Sequence, residues 1–310
     1  MSIKNLIINL IERRWLGAPL RVVGRLTRRR RYLGGLINPF YLPTTLVENG
    51  VARLIAYPDS YIDLVSGLRG AVRLSTRTFE PEVSYLIQTL IDEDDVILDI
   101  GANVGLHTVR FAQLAHKGHV YAFEPVKEMA KRLSQNCSLN RVENVTIVDC
   151  ALGVRNETLP ISVNVAGIGL EGTSSLTGSF HVEDHPENYE TRNVPVRRLD
   201  DLIQELGIDS RISLIKMDTE GFETFVIEGA LETLRKNNPV MIIEAHSRRL
   251  KAAGKSFDWY LETFPDYHIF IMPAISRTNP YLRLEPLGPN QPEIAVNLLL
   301  LPSAKFHSVG

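Results

Sequence analysis

From about residue 83 onward, short apolar runs bounded by turn residues alternate with stretches of helical period. The runs Val96 to Ile100, His119 to Glu124, Asn144 to Asp149, Ile212 to Asp218 and Val240 to His246 read as strands, mostly separated by helical segments. The clearest helix lies between the fourth and fifth runs. There Phe222, Phe225, Val226, Ala230 and Leu234 fall at offsets 0, 3, 4, 8 and 12, one apolar stripe, and Pro239 stops the helix before the next strand. Such alternation predicts a mostly parallel sheet covered by helices on both faces, an α/β doubly wound fold. Two further runs, Tyr267 to Met272 and Ile294 to Leu301, are joined by a Pro-rich connection and predict an antiparallel hairpin at the sheet edge.

The remaining segments frame a main domain over 83–303. Residues 304–310 form a short tail. Residues 34–82, with Gly34-Gly35, Pro39, Pro43, Pro58 and Pro81, read as an extension of short strands and turns. Residues 1–33 form a basic arm in which Ile3, Leu6, Ile7, Leu10, Ile11 and Trp15 keep helical spacing. Within the main domain, 164–192 shows neither period and carries Gly167, Gly169, Gly172, Ser174, Ser175 and Pro186, the pattern of a substrate loop or lid.

Composition narrows the class. A chain of 310 residues, 44% hydrophobic and 23% charged, can bury one sizeable globular core. Its two cysteines, Cys137 and Cys150, form no CxxC motif and read as buried thiols of a reducing, cytoplasmic compartment. Net charge is -2, but residues 1–31 hold nine basic side chains against the single acid Glu12, a local +8 that leaves -10 on the remainder. The arm therefore reads either as a peripheral contact with an acidic membrane surface or as a helix packed on the domain or a second subunit. Asn5, Asn9, Glu12 and Arg13 interrupt its apolar run well short of a membrane span. Nucleic acid is not an expected partner, because the acidic remainder would repel phosphate.

The chemistry is expected beyond the carboxyl ends of the strands, where open parallel sheets bind ligands. The first run passes directly into Asp99-Ile100-Gly101-Ala102-Asn103-Val104-Gly105, and a helix opens with Leu106, His107 and Thr108. The glycines permit a tight turn, and free N–H groups at the helix start suit an anionic group. Nineteen residues after Gly105, Glu124 ends the second run, placed to accept hydrogen bonds from ribose hydroxyls. A dinucleotide loop is GxGxxG; this one is DxGxNxG, shorter, and preceded by an acid that repels phosphate but attracts the ammonium of a methionine moiety.

These residues resemble the FkbM-type methyltransferases, class I S-adenosylmethionine enzymes. The resemblance rests on Val96 to Thr108, Phe123-Glu124-Pro125, Ala151-Leu152-Gly153, Gly172 to Leu176, Val194-Pro195-Val196, Leu199 to Leu202, Lys216 to Glu223 and Ile243-Glu244, in the family's order over roughly 79–265. It implies a Rossmann-like, seven-stranded sheet with an antiparallel edge strand. It also implies bound S-adenosyl-L-methionine and methylation of a hydroxyl on a sugar or other small-molecule or glycan acceptor. By that resemblance Asp99, Gly101, Ala102, Asn103 and Gly105 hold the methionine half and Glu124 the ribose, while Asp149 flanks the adenine. The basic arm lies outside it.

A hydroxyl acceptor needs a base near the transferred methyl group. The strand ends offer Lys216 and Asp218 on one side of the fourth run and Glu244 and His246 on one side of the fifth. These four are the catalytic candidates. Glu220 and Glu223 read equally as helix N-terminal acids. No metal site is expected: His181, Asp184 and His185, and the pair His116 and His119, lack convincing further ligands. Two other functions share the pattern, a nicotinamide-dependent oxidoreductase and a non-catalytic binding module that keeps the fold.

Overall fold

The computed structural model describes residues 44–48, 52–56, 80–165, 174–176, 186–273, 284–288 and 292–306. The chain divides into two compact units, residues 1–79 with 166–171, and residues 80–165 with 172–310. In the first, β1 (Thr44–Glu48) and β2 (Ala52–Ala56) pair as an antiparallel hairpin. The basic arm of residues 1–33 and the residues His181, Asp184 and His185 lie outside the described residues.

The second unit is built on one sheet. Its strands are β3 (Val96–Ile100), β4 (His119–Phe123), β5 (Val145–Val148), β9 (Ile212–Met217), β10 (Val240–His246), β11 (Tyr267–Met272), β12 (Glu285–Pro286) and β13 (Ala295–Pro302), in the spatial order β12-β11-β13-β10-β9-β3-β4-β5. The five from β10 to β5 are parallel neighbours. All five residues of β3 are buried, as befits a central strand covered on both faces. Alternate side chains sort into two cores. Ile97, Leu214, Val240 and Ile242 meet α1 (Pro81–Leu90) and α2 (Leu106–Leu114) through Val83, Ile87, Phe111 and Ala112. Leu98, Ile100, Ile215, Met217 and Ile243 meet the opposite helices through Leu199, Val226, Leu234 and Tyr260. The doubly wound α/β architecture follows from that sorting.

Three expectations need correction. Counted with the two-residue β12, the sheet has eight strands, not seven. The expected antiparallel pairing of β11 with β13 is present but not confined to the edge: β13 is inserted between β10 and β11, antiparallel to both, and the edge strand β12 pairs antiparallel with β11. Leu298, Leu299 and Leu300 are almost completely buried, which suits an interior strand, whereas β11 keeps partly exposed positions and lies one strand from the edge. The helix expected through 222–234 is two, α5 (Glu223–Glu228) and α6 (Leu231–Asn237). The chain breaks at Gly229, where a Cβ would stand 1.9 Å from the Gly153 carbonyl oxygen. Asp200, in α4 (Leu199–Glu205), accepts hydrogen bonds from the Thr233 and Glu232 N–H groups and so caps the second helix.

A small second sheet, β6 (Ala151–Leu152), β8 (Tyr189–Arg197) and β7 (Glu157–Asn164), stands beside the first. Both ends of the expected 164–192 loop are therefore strand, and its residues 166–173 and 177–185 lie outside the described residues. Ile161, Val163 and Val194 pack with Leu176 on Val104 and on Val126 and Met129 at the start of α3 (Lys127–Asn140), next to the glycine loop.

Candidate active site

The order of strands reverses at β3 and β9, and the turns leaving these two strands touch. Asp218 N–H donates to the Ile100 carbonyl at 3.0 Å. Gly101, at φ 81°, passes so close that a Cβ would stand 1.9 Å from the Asp218 carbonyl oxygen. Asn103 and Gly105 also take positive φ, 50° and 89°, which tightens the loop before α2. Glu124 fastens it from the side. Its Oε2 accepts the Asn103 N–H and its Oε1 the Val126 N–H, each at 2.8 Å. Burial pushes the Glu124 carboxyl up to about 7 despite those two hydrogen bonds. Ala102 is buried within the loop, and Asp149, just beyond β5, is exposed. The Oδ1 of Asn103 is buried without a partner among the described residues.

Behind the loop lies a buried charge cluster that the sequence reading only partly assembled. Asp99, 1% exposed, accepts a 2.6 Å hydrogen bond from Thr108 Oγ1. It stands opposite Lys216 in the β3–β9 register. Lys216 Nζ donates to Asp218 Oδ2 at 3.0 Å. Burial alone would lower the Lys216 ammonium, but Asp218, Glu80 and Asp99 outweigh it and hold it above the ordinary lysine range. Burial likewise raises Asp99. Glu80, at the mouth of α1, lies 2.6 Å from His107 Nε2. Burial would raise the Glu80 carboxyl, but Lys216 and His107 hold it down at about 2. Glu80 was missed because it precedes the regular pattern, and its φ of 38° is the one local mark of its role.

The second group lies on the next strand. Carboxylate oxygens of Asp218, Glu220 and Glu244 all lie within 4.8 Å of one another, a set with the charge to take a cation or a protonated donor. Arg249, from α7 (Ser247–Ala252), bridges Glu220 and Glu244. Burial, then Asp218, Glu220 and Glu223, push Glu244 up to about 9; burial pushes Glu220 up to about 7, with Arg249 opposing. His246 Nδ1 accepts the Arg248 N–H at 3.1 Å and caps α7. Glu223 turns back on the strand end, taking Thr219 N–H, Thr219 Oγ1 and Gly221 N–H. The pair His116 and His119 is divided between other partners, Glu93 and Thr146.

A match to the Methyltransferase FkbM domain covers residues 99–272, more than half of the chain, from the end of β3 through β11 and short of β12 and β13. The chain belongs to the FkbM methyltransferase family. Among relatives of this FkbM-family chain, the 2-O-methyltransferase NoeI of Sinorhizobium fredii is 34% identical over 158 residues, 49% of this chain and 63% of NoeI. The hexuronic acid methyltransferase AglP of Haloferax volcanii is 28% identical over 170 residues, 54% of this chain and 63% of AglP. The match thus spans a little over three fifths of these relatives. Among solved structures, methyltransferase FkbM from Methylobacillus flagellatus is 18% identical with a TM-score of 0.42, covering 77% of this chain and 58% of that one. Every motif named for the resemblance from Asp99 onward falls within the matched span. Among the described residues, no helix is long and apolar enough to cross a membrane.

Proposed function

We propose that this protein is an S-adenosylmethionine-dependent O-methyltransferase whose acceptor is a hydroxyl of a sugar or related small molecule. Family membership supports methyl transfer. NoeI and AglP, named for 2-O-methylation and for a hexuronic acid, support the acceptor class. The observation that carries the cofactor reading is the unpartnered Asn103 Oδ1 in a positive-φ loop clasped by Glu124.

Asp99, Gly101, Ala102, Asn103 and Gly105 hold the methionine half, with Asn103 Oδ1 as an acceptor for a donor on that half. Glu124 spends one hydrogen bond per carboxylate oxygen on the backbone, which leaves lone pairs for ribose hydroxyls. Asp149 flanks the adenine from the end of β5. The cofactor supplies a methyl group on a positively charged sulfur.

Lys216 orients the Asp218 carboxylate toward the space in front of the strand ends, where Asp218 takes the acceptor's proton. Glu220 and Glu244, held by Arg249, form the acidic wall that orients the acceptor by its remaining hydroxyls. Lys216 stays an ammonium throughout and serves to position Asp218. His246, its Nδ1 committed to Arg248, caps the helix beside the site. Holding acceptor and donor in line supplies about 7 to 11 kcal/mol of barrier reduction, and a base adds about 10² to 10⁴ in rate.

The test is transfer of radiolabelled methyl from S-adenosylmethionine to a panel of methyl hexosides, methyl hexuronides, simple phenols, amines and activated-methylene compounds. Label on a sugar hydroxyl is the expected outcome. Label on nitrogen or carbon acceptors alone would refute the oxygen assignment. Binding of NAD in preference to S-adenosylhomocysteine would refute the cofactor.

A further inference from the structure

Between β7 and β8, Ser175 reaches the turn that carries Glu220. Ser175 is 2% exposed. Its N–H donates to the Ser162 carbonyl at 3.1 Å and its carbonyl accepts the Ser162 N–H at 3.0 Å, so its backbone is fixed to the small sheet. Its hydroxyl donates to the Glu220 carbonyl at 2.9 Å.

Glu220 is in an unusual position to be held. It is a non-glycine residue at φ 57°, followed by Gly221 at φ 104°, on the turn between β9 and α5. Such a backbone persists only where its surroundings over-determine it, and such sites cluster where geometry serves chemistry. Three supports act on this turn. Glu223 ties down Thr219 and Gly221, Arg249 takes the Glu220 carboxylate, and Ser175 takes the Glu220 carbonyl. The first two act within the main sheet's own strand-end elements. Ser175 links the turn to the small sheet.

We propose that Ser175 is a positioning residue: through the Glu220 carbonyl it fixes the Glu220 carboxylate in the acidic wall, and so couples the small sheet, to which Ser162 bonds it, to acceptor alignment. The coupling to alignment rests on the reading of that wall as the acceptor's site. The coupling of Ser175 to Glu220 does not. Without the hydroxyl, the turn relaxes and the carboxylate moves out of the enclosure formed by Asp218, Glu223, Glu244 and Arg249 toward water.

Titration of the Glu220 side chain decides the matter. The full chain is labelled with glutamate carrying ¹³C at the carboxyl carbon, and the Glu220 signal is assigned with Glu220→Gln. In Ser175→Ala the Glu220 midpoint is expected to fall by about one pH unit toward the ordinary carboxylate value. Ser175→Thr, which keeps a hydroxyl, is expected to retain the wild-type midpoint. Ser175→Cys, close in shape but a weak donor, replaces the alanine variant should that one fail to fold. A Glu220 curve in the folded alanine or cysteine variant that superimposes on wild type overturns the proposal.

Turnover on methyl hexuronides gives a separate readout. Ser175→Ala should lower kcat about tenfold or more while KM for S-adenosylmethionine stays within about twofold. Loss of cofactor KM together with kcat would mark general damage and overturn the positioning role. Wild-type protein inactive on every acceptor would defeat the methyltransferase reading, and the titration would still decide the Ser175 contact.

Discussion

Lys216 Nζ lies 3.0 Å from Asp218 Oδ2, two residues away on the same face at the end of β9. The lysine is 3% exposed and sits among Glu80, Asp99 and Asp218, whose charges favour its ammonium form against burial. Asp218→Asn keeps the shape and removes the proton acceptor. Turnover is expected to fall by about 10² or more while affinity for S-adenosylhomocysteine stays within about tenfold. Steady-state kinetics paired with calorimetry checks both halves, and undiminished turnover would remove Asp218 from the chemistry.

Gly101 makes a second prediction through sterics alone. A side chain there meets the Asp218 carbonyl oxygen and must adopt φ 81°. Gly101→Ala is expected to cost about 3 kcal/mol or more in urea unfolding and to abolish cofactor binding. A variant of wild-type stability would mean the β3 and β9 turns do not touch as described.

Asp200 predicts a loss of stability without a loss of function. Its carboxylate caps α6 through Thr233 and Glu232, far from the strand-end chemistry. Asp200→Ala should lower stability by about 1 to 2 kcal/mol and leave KM for the cofactor unchanged. Thermal melts with parallel kinetics distinguish this from a role in catalysis.

Stability should also depend on pH with a definite sign. Glu124 and Glu220 are held near 7 and Glu244 near 9, all above the ordinary value of 4.5, so the folded state binds more protons than the unfolded one between those limits. Stability therefore falls as pH rises from about 5 to 9. Glu80, held at about 2, acts oppositely: its contribution is present above 4.5 and is lost as pH falls toward 2. Urea midpoints across pH 3 to 9 should peak in the mildly acidic range, by about 1 to 3 kcal/mol over pH 9. Removing Glu244 with Glu244→Gln should flatten the alkaline side.

Much of the sheet was legible because burial on both faces leaves an unmistakable mark. Val96 to Ile100, Val240 to His246 and Tyr267 to Met272 coincide with β3, β10 and β11. Strands β7 and β8 escaped notice because each carries a proline, Pro160 and Pro195, and most of their positions are only partly buried or exposed. The break at Gly229 was hidden for another reason. The apolar stripe from Phe222 to Leu234 continues across it, and the cause is a close approach of Gly153, which comes from 76 positions earlier in the chain. The same holds for the site. Gly101, Glu124 and Asp218 follow from local spacing, whereas the meeting of Glu80 with His107, of Arg249 with Glu220, and of Ser175 with the Glu220 carbonyl depends on long-range packing.

The measurement that bears most directly on the account is calorimetric titration of folded, ligand-free protein with S-adenosylhomocysteine, repeated with Glu124→Ala. Binding at micromolar or tighter affinity in the wild type, weakened by about 10² in the variant, is the predicted result. No heat in the wild type, or equal affinity in both proteins, would contradict it.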